Sequence, residues 1–358
     1  YQYLQRIYLA ESLPLWEFSV GDASFEKRIW MQLGPNITYI RYKLCQAPHP
    51  LTLSLKPLVN YRDHHSRTSG KGWKMKIERV SHGIAITAFP GATPFYILGD
   101  HSEIYPENQW YYQFKLNQEC DRGLYPLVVS TESNPDLTGE NALISSRYYQ
   151  ENLEHLLENT HPELAKIAPP WITHLIPASE HFIVNRTLPN NEEGKTVIAG
   201  YPCFSDWTRD TMISLPGLTL TLKRWKTART ILETFAQYVN QGMLPNRFPD
   251  DGNPLNDGDY NTIDGTLWYF EAIRQYYCHT QDKAFLREIF PILADIIQWH
   301  QKGTRFNIHL DAEDGLISGG APGRQLTWMD AKVGNWVVTP RQGKPVEISA
   351  LWYCAVSG

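Results

Sequence analysis

Residues 201–268 read YPCFSDWTRDTMISLPGLTLTLKRWKTARTILETFAQYVNQGMLPNRFPDDGNPLNDGDYNTIDGTLW. Two kinds of segment alternate in this stretch. Apolar residues recur at helical spacing over 211–223, 226–241 and from 262 onward; Ala228, Ile231, Leu232, Phe235, Ala236 and Val239 share one face. Between these segments lie short polar loops: Asp206-Trp207-Thr208-Arg209-Asp210, Leu244-Pro245-Asn246-Arg247, and Asp259-Tyr260-Asn261-Thr262-Ile263-Asp264. Carboxylates and guanidinium groups exchange hydrogen bonds with hydroxyls, and flat indole faces meet the C–H faces of a pyranose. Such residues on loops between helices point to a sugar-binding cleft.

The same alternation extends on both sides. Residues 211–223 are apolar nearly all round and contain Pro216-Gly217, which predicts a buried, kinked helix. Gly242 stands at the stop position of the next helix, over 226–241. Residues 262–277 direct Leu267, Trp268, Phe270, Ile273 and Tyr277 inward. Residues 282–302 carry Phe285, Ile289, Leu293, Ile296, Ile297 and Trp299 and close on Gly303. A last helix starts at Val346, with Ile348, Leu351 and Trp352. Upstream, 171–186 reads as a helix with an early Pro177, 189–195 as a polar loop, and 141–159 as an amphipathic helix crossing between domains. Buried and amphipathic helices in turn predict two concentric layers with the apolar one inside. The expected architecture over 171–358 is therefore about half of an (α/α)6 toroid, preceded by a linker helix over 141–170.

Residues 1–140 read as β-structure. The runs Phe25–Met31, Thr38–Leu44 and Thr52–Lys56 are aromatic, β-branched or alternating. Gly34-Pro35-Asn36, Pro48-His49-Pro50 and Pro90-Gly91 punctuate them at turn spacing. An antiparallel β-sandwich-like domain is expected, which makes the whole an α+β, multidomain chain. Two polar runs stand out within it. Asn60-Tyr61-Arg62-Asp63-His64-His65 is a loop, and its adjacent histidines would point to opposite faces of an extended chain rather than to one metal. Trp110-Tyr111-Tyr112 reads as strand core in preference to a sugar platform.

Composition bounds the function. Of 358 residues, 42% are hydrophobic and 20% charged, as in globular proteins, and a net charge of −5 supplies no basic stripe for nucleic acid or anionic lipid. No apolar run reaches the roughly 18–20 residues that span a bilayer. The five cysteines (Cys45, Cys120, Cys203, Cys278, Cys354) are odd in number and form no CxxC pair. That argues against a disulfide framework or a zinc site and predicts a reducing, cytoplasmic setting. Twelve Trp and twenty Tyr lean toward carbohydrate, because each ring carries a polar atom that a core must satisfy. Nothing in the sequence asks for a metal or organic cofactor.

The runs DWTRDTMISLPGL (206–218), GMLPNRFPDDG (242–252), YNTIDGTLW (260–268), DGLISGGAPGRQLTWMDAKVG (314–334) and TPRQGKPVEISALW (339–352) occur in this order. Together they resemble the amylo-α-1,6-glucosidase domain of glycogen debranching enzymes in its single-function bacterial form. FEKRIWM (25–31), PLVNYRDHH (57–65) and QWYY (109–112) are similar to the N-terminal β-rich domain of the same family. The family's Trp-Gly-Arg-Asp is here Trp207-Thr208-Arg209-Asp210. The resemblance implies an (α/α)6 barrel and inverting hydrolysis of the α-1,6-linked glucose at a trimmed branch of glycogen or a related α-glucan. It puts the general acid on Asp264. The general base is expected beyond residue 358, in a longer polypeptide of which this chain would be a fragment.

Inverting hydrolysis needs a protonated carboxyl on the leaving oxygen and a carboxylate to activate water, about 6.5–9.5 Å apart. Asp264 opens a helix, where the peptide dipole favours its anion, so burial or a like charge would have to raise its pKa. The plainer reading of Asp264 is a helix cap. Arg209 and Asp210 are candidates to grip vicinal hydroxyls, or else form an interhelical salt bridge. Trp207 and Trp328 are candidate stacking platforms or core residues. Asn246, Arg247, Asp330, Lys332 and Glu347 complete the candidate substrate-binding set, Glu347 as a hydroxyl ligand or structural partner. Two rivals remain at this point: another (α/α)6 hydrolase of a different α-glucoside, and a non-catalytic glucan-binding remnant.

Overall fold

The computed structural model describes residues 2–11, 13–59, 61, 74–99, 103–106, 127–190, 192–201, 204–249 and 254–357, leaving aside the side chains of Leu127, Val128, Glu154, Pro170 and Thr173. The polar runs around His64 and Trp110, together with Cys120 and Cys203, lie outside the described residues. The chain divides into two compact units, Tyr1–His155 and Leu156–Gly358.

In the first unit, β1 (Leu4–Ala10), β2 (Leu13–Val20), β3 (Ala23–Met31), β4 (Ile37–Gln46), β5 (Lys76–Val80), β6 (Gly83–Thr87), β7 (Phe95–Leu98) and β8 (Leu127–Ser130) pair in the order β1-β2-β3-β4-β8-β7-β6-β5. Every pairing is antiparallel. The expected sandwich is thus, among the described residues, one hydrogen-bonded sheet of eight strands. Alternation reports that a strand has two faces, and it cannot say whether successive hairpins share a sheet. A helix covers part of the sheet. Ala142 and Leu143 of α1 (Glu140–Thr160) pack with Leu13, Trp30, Ile37, Tyr39 and Leu98. Trp30 stacks on Tyr39 at 5.3 Å and donates from Nε1 to the Gly139 carbonyl at 3.2 Å, so the indole's polar atom is satisfied. Among the described residues the alternating run Thr52–Lys56 is assigned to no strand, and it is largely exposed.

In the second unit, α2 (Pro162–Ile167) and α3 (Pro170–Glu180) lead to a small sheet of order β11-β10-β9, made of β9 (Ile183–Thr187), β10 (Glu193–Gly200) and β11 (Phe204–Asp206). The expected helix over 171–186 therefore ends at Glu180, and the β-branched run Ile183-Val184 passes into a ladder with β10. Next come α4 (Thr208–Leu218), with Pro216 in its last turn, and α5 (Trp225–Ala236). After them come α6 (Asp264–Thr280) and α7 (Lys283–Lys302). Two short hairpins follow, β12 (His309–Leu310) with β13 (Ile317–Ser318) and β14 (Lys332–Val333) with β15 (Trp336–Val337), and then α8 (Val346–Ser357). Asp282 caps α7 by accepting from the Phe285 amide at 3.0 Å. Within α6 the fully buried apolar positions are Leu267, Tyr269, Ala272, Ile273 and Tyr276, while Trp268 and Phe270 pack half-buried against the same core and Tyr277 is half-buried. The helix is enclosed from more than one side, so the single-stripe reading slipped by a residue or two.

One core joins α4, α5, α6 and α7 through Met212, Leu215, Ile231, Leu232, Phe235, Tyr269, Ile273, Phe285 and Ile296. A second joins Met243, Tyr260, Ile263, Leu267, Leu326, Ile348 and Trp352, so it ties the start of α6 to α8. Arg274, late in α6, lies within electrostatic reach of Cys354, late in α8, so the two helices run the same way.

A histidine inside this second region gives the unit a pH dependence. His300 is fully buried, its Nδ1 donates to the Ile296 carbonyl at 2.8 Å, and its ring stacks on Trp352 at 5.8 Å. Burial pushes its pKa below the ordinary histidine value, against the opposing pull of the Ile296 carbonyl. As pH falls below about 6.5 the unfolded chain takes up this proton before the folded one, so stability is lost in that direction at up to about 1.4 kcal/mol per pH unit. His300→Phe keeps a flat ring and removes the proton. Urea midpoints between pH 7.5 and 5.0 should fall less steeply for the variant, and parallel profiles would refute this account.

Candidate active site

The candidate residues gather where helices begin. Arg209 lies in the first turn of α4 and Asp264 opens α6. The two close a bidentate bridge: Arg209 Nε donates to Asp264 Oδ2 at 2.6 Å, and Nη2 to Oδ1 at 3.0 Å. The side chain of Asp264 is 2% exposed and that of Arg209 14%, so both charges are largely out of water. Asp264 Oδ1 also accepts from the Thr262 hydroxyl at 2.7 Å and the Gly265 amide at 2.9 Å. The carboxylate is ringed by donors.

Two further carboxylates lie within electrostatic range of the guanidinium. Arg209 is held above its ordinary pKa even though burial pulls the other way, first through its hydrogen bonds to Asp264 and then through the charges of Asp264, Asp330 and Asp210. Asp210 is pushed above the ordinary carboxylate range, chiefly by burial, with Asp264 and Asp330 adding to the rise and Arg209 opposing it. Four candidates from three motifs (Arg209 and Asp210, Asp264, and Asp330) thus act on one another. The loop that carries Asp330 is tied to α6, because the Ile263 amide donates to the Leu326 carbonyl at 2.8 Å. Its base is closed by paired bonds between Gly319 and Gly343 at 2.9 and 2.8 Å.

The second candidate loop is joined to the first by backbone. Thr208 donates its amide to the Asn246 carbonyl at 3.0 Å and its hydroxyl to the Pro245 carbonyl, while Trp207 and Arg247 form an isolated bridge. Asn246 is buried, and its Oδ1 meets no donor among the described residues. Glu347, at the start of α8, accepts from Arg341 at 2.5 Å through Oε2, and its buried Oε1 likewise meets no donor there. Arg341 reaches the Met329 sulfur at 3.3 Å, which places Glu347 close to the Asp330 loop. A buried acceptor without a donor costs free energy unless something else supplies the hydrogen, as a ligand hydroxyl can.

The aromatic candidates differ. Trp328 is 54% exposed, a face open to a ligand, whereas Trp207 is half-buried against the edge of Phe204 at 6.4 Å. Lys332 is exposed on β14, and Lys344 is engaged with Asp311 and Asp314 at 2.6 and 2.7 Å. Neither has a described contact with Asp210, Asp264 or Asp330. Sequence reasoning passed over Thr262, although its place two residues before Asp264 in the same motif was the available signal. It also passed over the Asp206–Arg186 pair, for which a separation of 20 positions left none.

The descriptions of two families match the chain: "Amylo-alpha-1,6-glucosidase" over residues 177–358, half of its length, and "Glycogen debranching enzyme N terminal" over residues 1–127. The chain belongs to the glycogen debranching enzyme family. It is similar to the glycogen debranching enzyme of Saccharomyces cerevisiae, at 28% identity over 219 residues. That match covers 45% of this chain and 14% of the yeast protein, so the chain spans a small part of its relative. Among the described residues, no helix is long and apolar enough to cross a membrane.

Proposed function

We propose that the polypeptide containing this chain removes single glucose residues, linked α-1,6 at the branch points of glycogen or a similar α-glucan, with inversion at the anomeric carbon. The single observation that carries this reading is the buried Arg209–Asp264 fork, with Asp210 and Asp330 within electrostatic range of the same guanidinium, in a chain of this family. The α4–α8 arrangement, in which α6 and α8 run the same way, supports reading 171–358 as part of an (α/α)6 toroid.

The division of labour follows from the surroundings of each carboxyl. Resemblance alone gives the acid role to Asp264. Yet both its oxygens are already engaged, Oδ2 by Arg209 Nε and Oδ1 by Arg209 Nη2, the Thr262 hydroxyl and the Gly265 amide, and the side chain is 2% exposed, whereas a proton donor must reach the leaving oxygen. We therefore assign Asp264 to aim Arg209 at the sugar. The proton then comes from one of the two carboxyls outside the fork, Asp210, which is already pushed upward, or Asp330. Asn246 Oδ1 and Glu347 Oε1 accept sugar hydroxyls, Arg247 and Lys332 border the glucan, and Trp328 offers a stacking face. The water-activating base is proposed to lie C-terminal to residue 358.

The test uses the full reading frame that encodes this chain, with Asp210→Asn, Asp264→Asn and Asp330→Asn assayed on phosphorylase-limit dextrin and on α-glucosyl fluoride. Fluoride leaves without a proton. The variant lacking the acid should lose about 10²–10⁴-fold on dextrin and keep most of its turnover on the fluoride, while the other two variants lose on both. If Asp264→Asn is the variant rescued by fluoride, the assignment above is wrong and Asp264 is the acid. If the wild type binds dextrin and releases no glucose, the chain belongs to a glucan-binding module instead.

A further inference from the structure

We infer that Arg186, on β9 and remote from the carboxylate trio in sequence, is a positioning residue that sets the spacing of the two loops forming the site. Arg186 Nε donates to Asp206 Oδ2 at 2.6 Å and Nη2 to Oδ1 at 2.7 Å, and the Asp206 side chain is 2% exposed. The same guanidinium lies over the Phe248 ring, 4.5 Å from its centre. Phe248 is fully buried and wedged edge-on between Phe235 at 5.1 Å and Tyr238 at 4.6 Å. One planar cation therefore holds a carboxylate by its edge and a fixed aromatic ring by its face.

What makes this more than a structural salt bridge is what the two partners adjoin. Asp206 immediately precedes Trp207-Thr208-Arg209-Asp210, and Phe248 immediately follows Asn246-Arg247. The Phe248 amide donates to the Asp206 carbonyl at 3.2 Å, and the loops stay paired through the Trp207–Arg247 bridge and the Thr208–Asn246 bond. Arg186 clamps the point from which both loops run into the site. A change in its reach moves Arg209 relative to Asn246, the two groups proposed to grip the same sugar. Lysine keeps the charge but loses both the fork and the planar face, so Arg186→Lys is not conservative here.

The inference rests on the glucosidase reading, and its test separates the two. In the full-length protein, Arg186→Lys should lower kcat on limit dextrin at least about tenfold while KM stays within about threefold, because misplacement by about 1 Å is felt at the reacting ring and not along the polymer. Affinity for 1-deoxynojirimycin, a glucose-shaped cation that fills only the terminal-sugar position, should fall by a similar factor. Asp206→Asn should do the same, and the double variant should be no worse than the worse single one, as expected of one network. Unchanged kcat and iminosugar affinity with a lowered Tm would overturn the inference and leave a purely structural bridge, as would losses that simply add. A wild type that binds the iminosugar but releases no glucose would refute the glucosidase reading, and the iminosugar affinities of the variants would then decide the role of Arg186.

Discussion

Arg209→Met should destabilise the helical unit by about 3–5 kcal/mol and cut glucose release about 10²–10³-fold. The stability loss follows from an asymmetry within the pair. Asp264 is 2% exposed and Arg209 14%, so an orphaned guanidinium can turn toward water while an orphaned Asp264 cannot. Removing the arginine leaves a buried carboxylate with only Thr262 and Gly265 as donors. Asp264→Asn leaves the more accessible partner behind and should cost less. The double variant Arg209→Met/Asp264→Asn should be more stable than Arg209→Met alone, because the buried charge is gone. Thermal melts of the three proteins decide the matter. An Arg209→Met variant melting within a degree or two of wild type would show that the bridge does not bear on stability.

The second large effect is expected at Gly242. Its φ is +70°, and a Cβ there would stand 2.2 Å from Trp299 Cβ and 2.9 Å from Trp299 Cγ. The obstacle is the root of a side chain on α7, not its flexible end. Gly242→Ala combines left-handed strain with overpacking and should cost about 2–4 kcal/mol, or roughly 5–15 °C in Tm for a unit of this size. The turn also feeds the site: Asn240 and Met243 exchange backbone bonds at 2.9 and 3.1 Å just ahead of Asn246. Weakened limit-dextrin binding should accompany the lower Tm. A variant with wild-type Tm would mean that α7 yields at Trp299 more readily than its packing implies.

Helical periodicity located α4 through α8 because each must bury one face within its own length, and Asp282 and Gly303 marked both ends of α7. Gly242 was read as a helix stop. It does adopt the left-handed conformation, but α5 ends at Ala236, and the glycine serves the close approach of Trp299. The strand Ile183–Thr187 was hidden because its partner is β10, and a short apolar run carries no label for what it will pair with. The site was legible as a set of residue types on loops. Its wiring was not. Arg209 and Asp264 are 55 positions apart, and only the packing of α4 on α6 makes them one group. The same holds for Arg186 and Asp206, whose pairing depends on three strands lying in one small sheet.

The common direction of α6 and α8, with α4 starting at the same end as α6, has an electrical consequence. Each helix start carries roughly half a positive charge from its unpaired amides, and Arg209 adds a full one. The proposed reaction passes through a sugar ring that itself becomes cationic. Left alone, this scaffold would repel its own transition state. The carboxylates around Arg209, together with Glu347, oppose that field, and neutralising any of them that does not carry the catalytic proton should still slow the bond-breaking step.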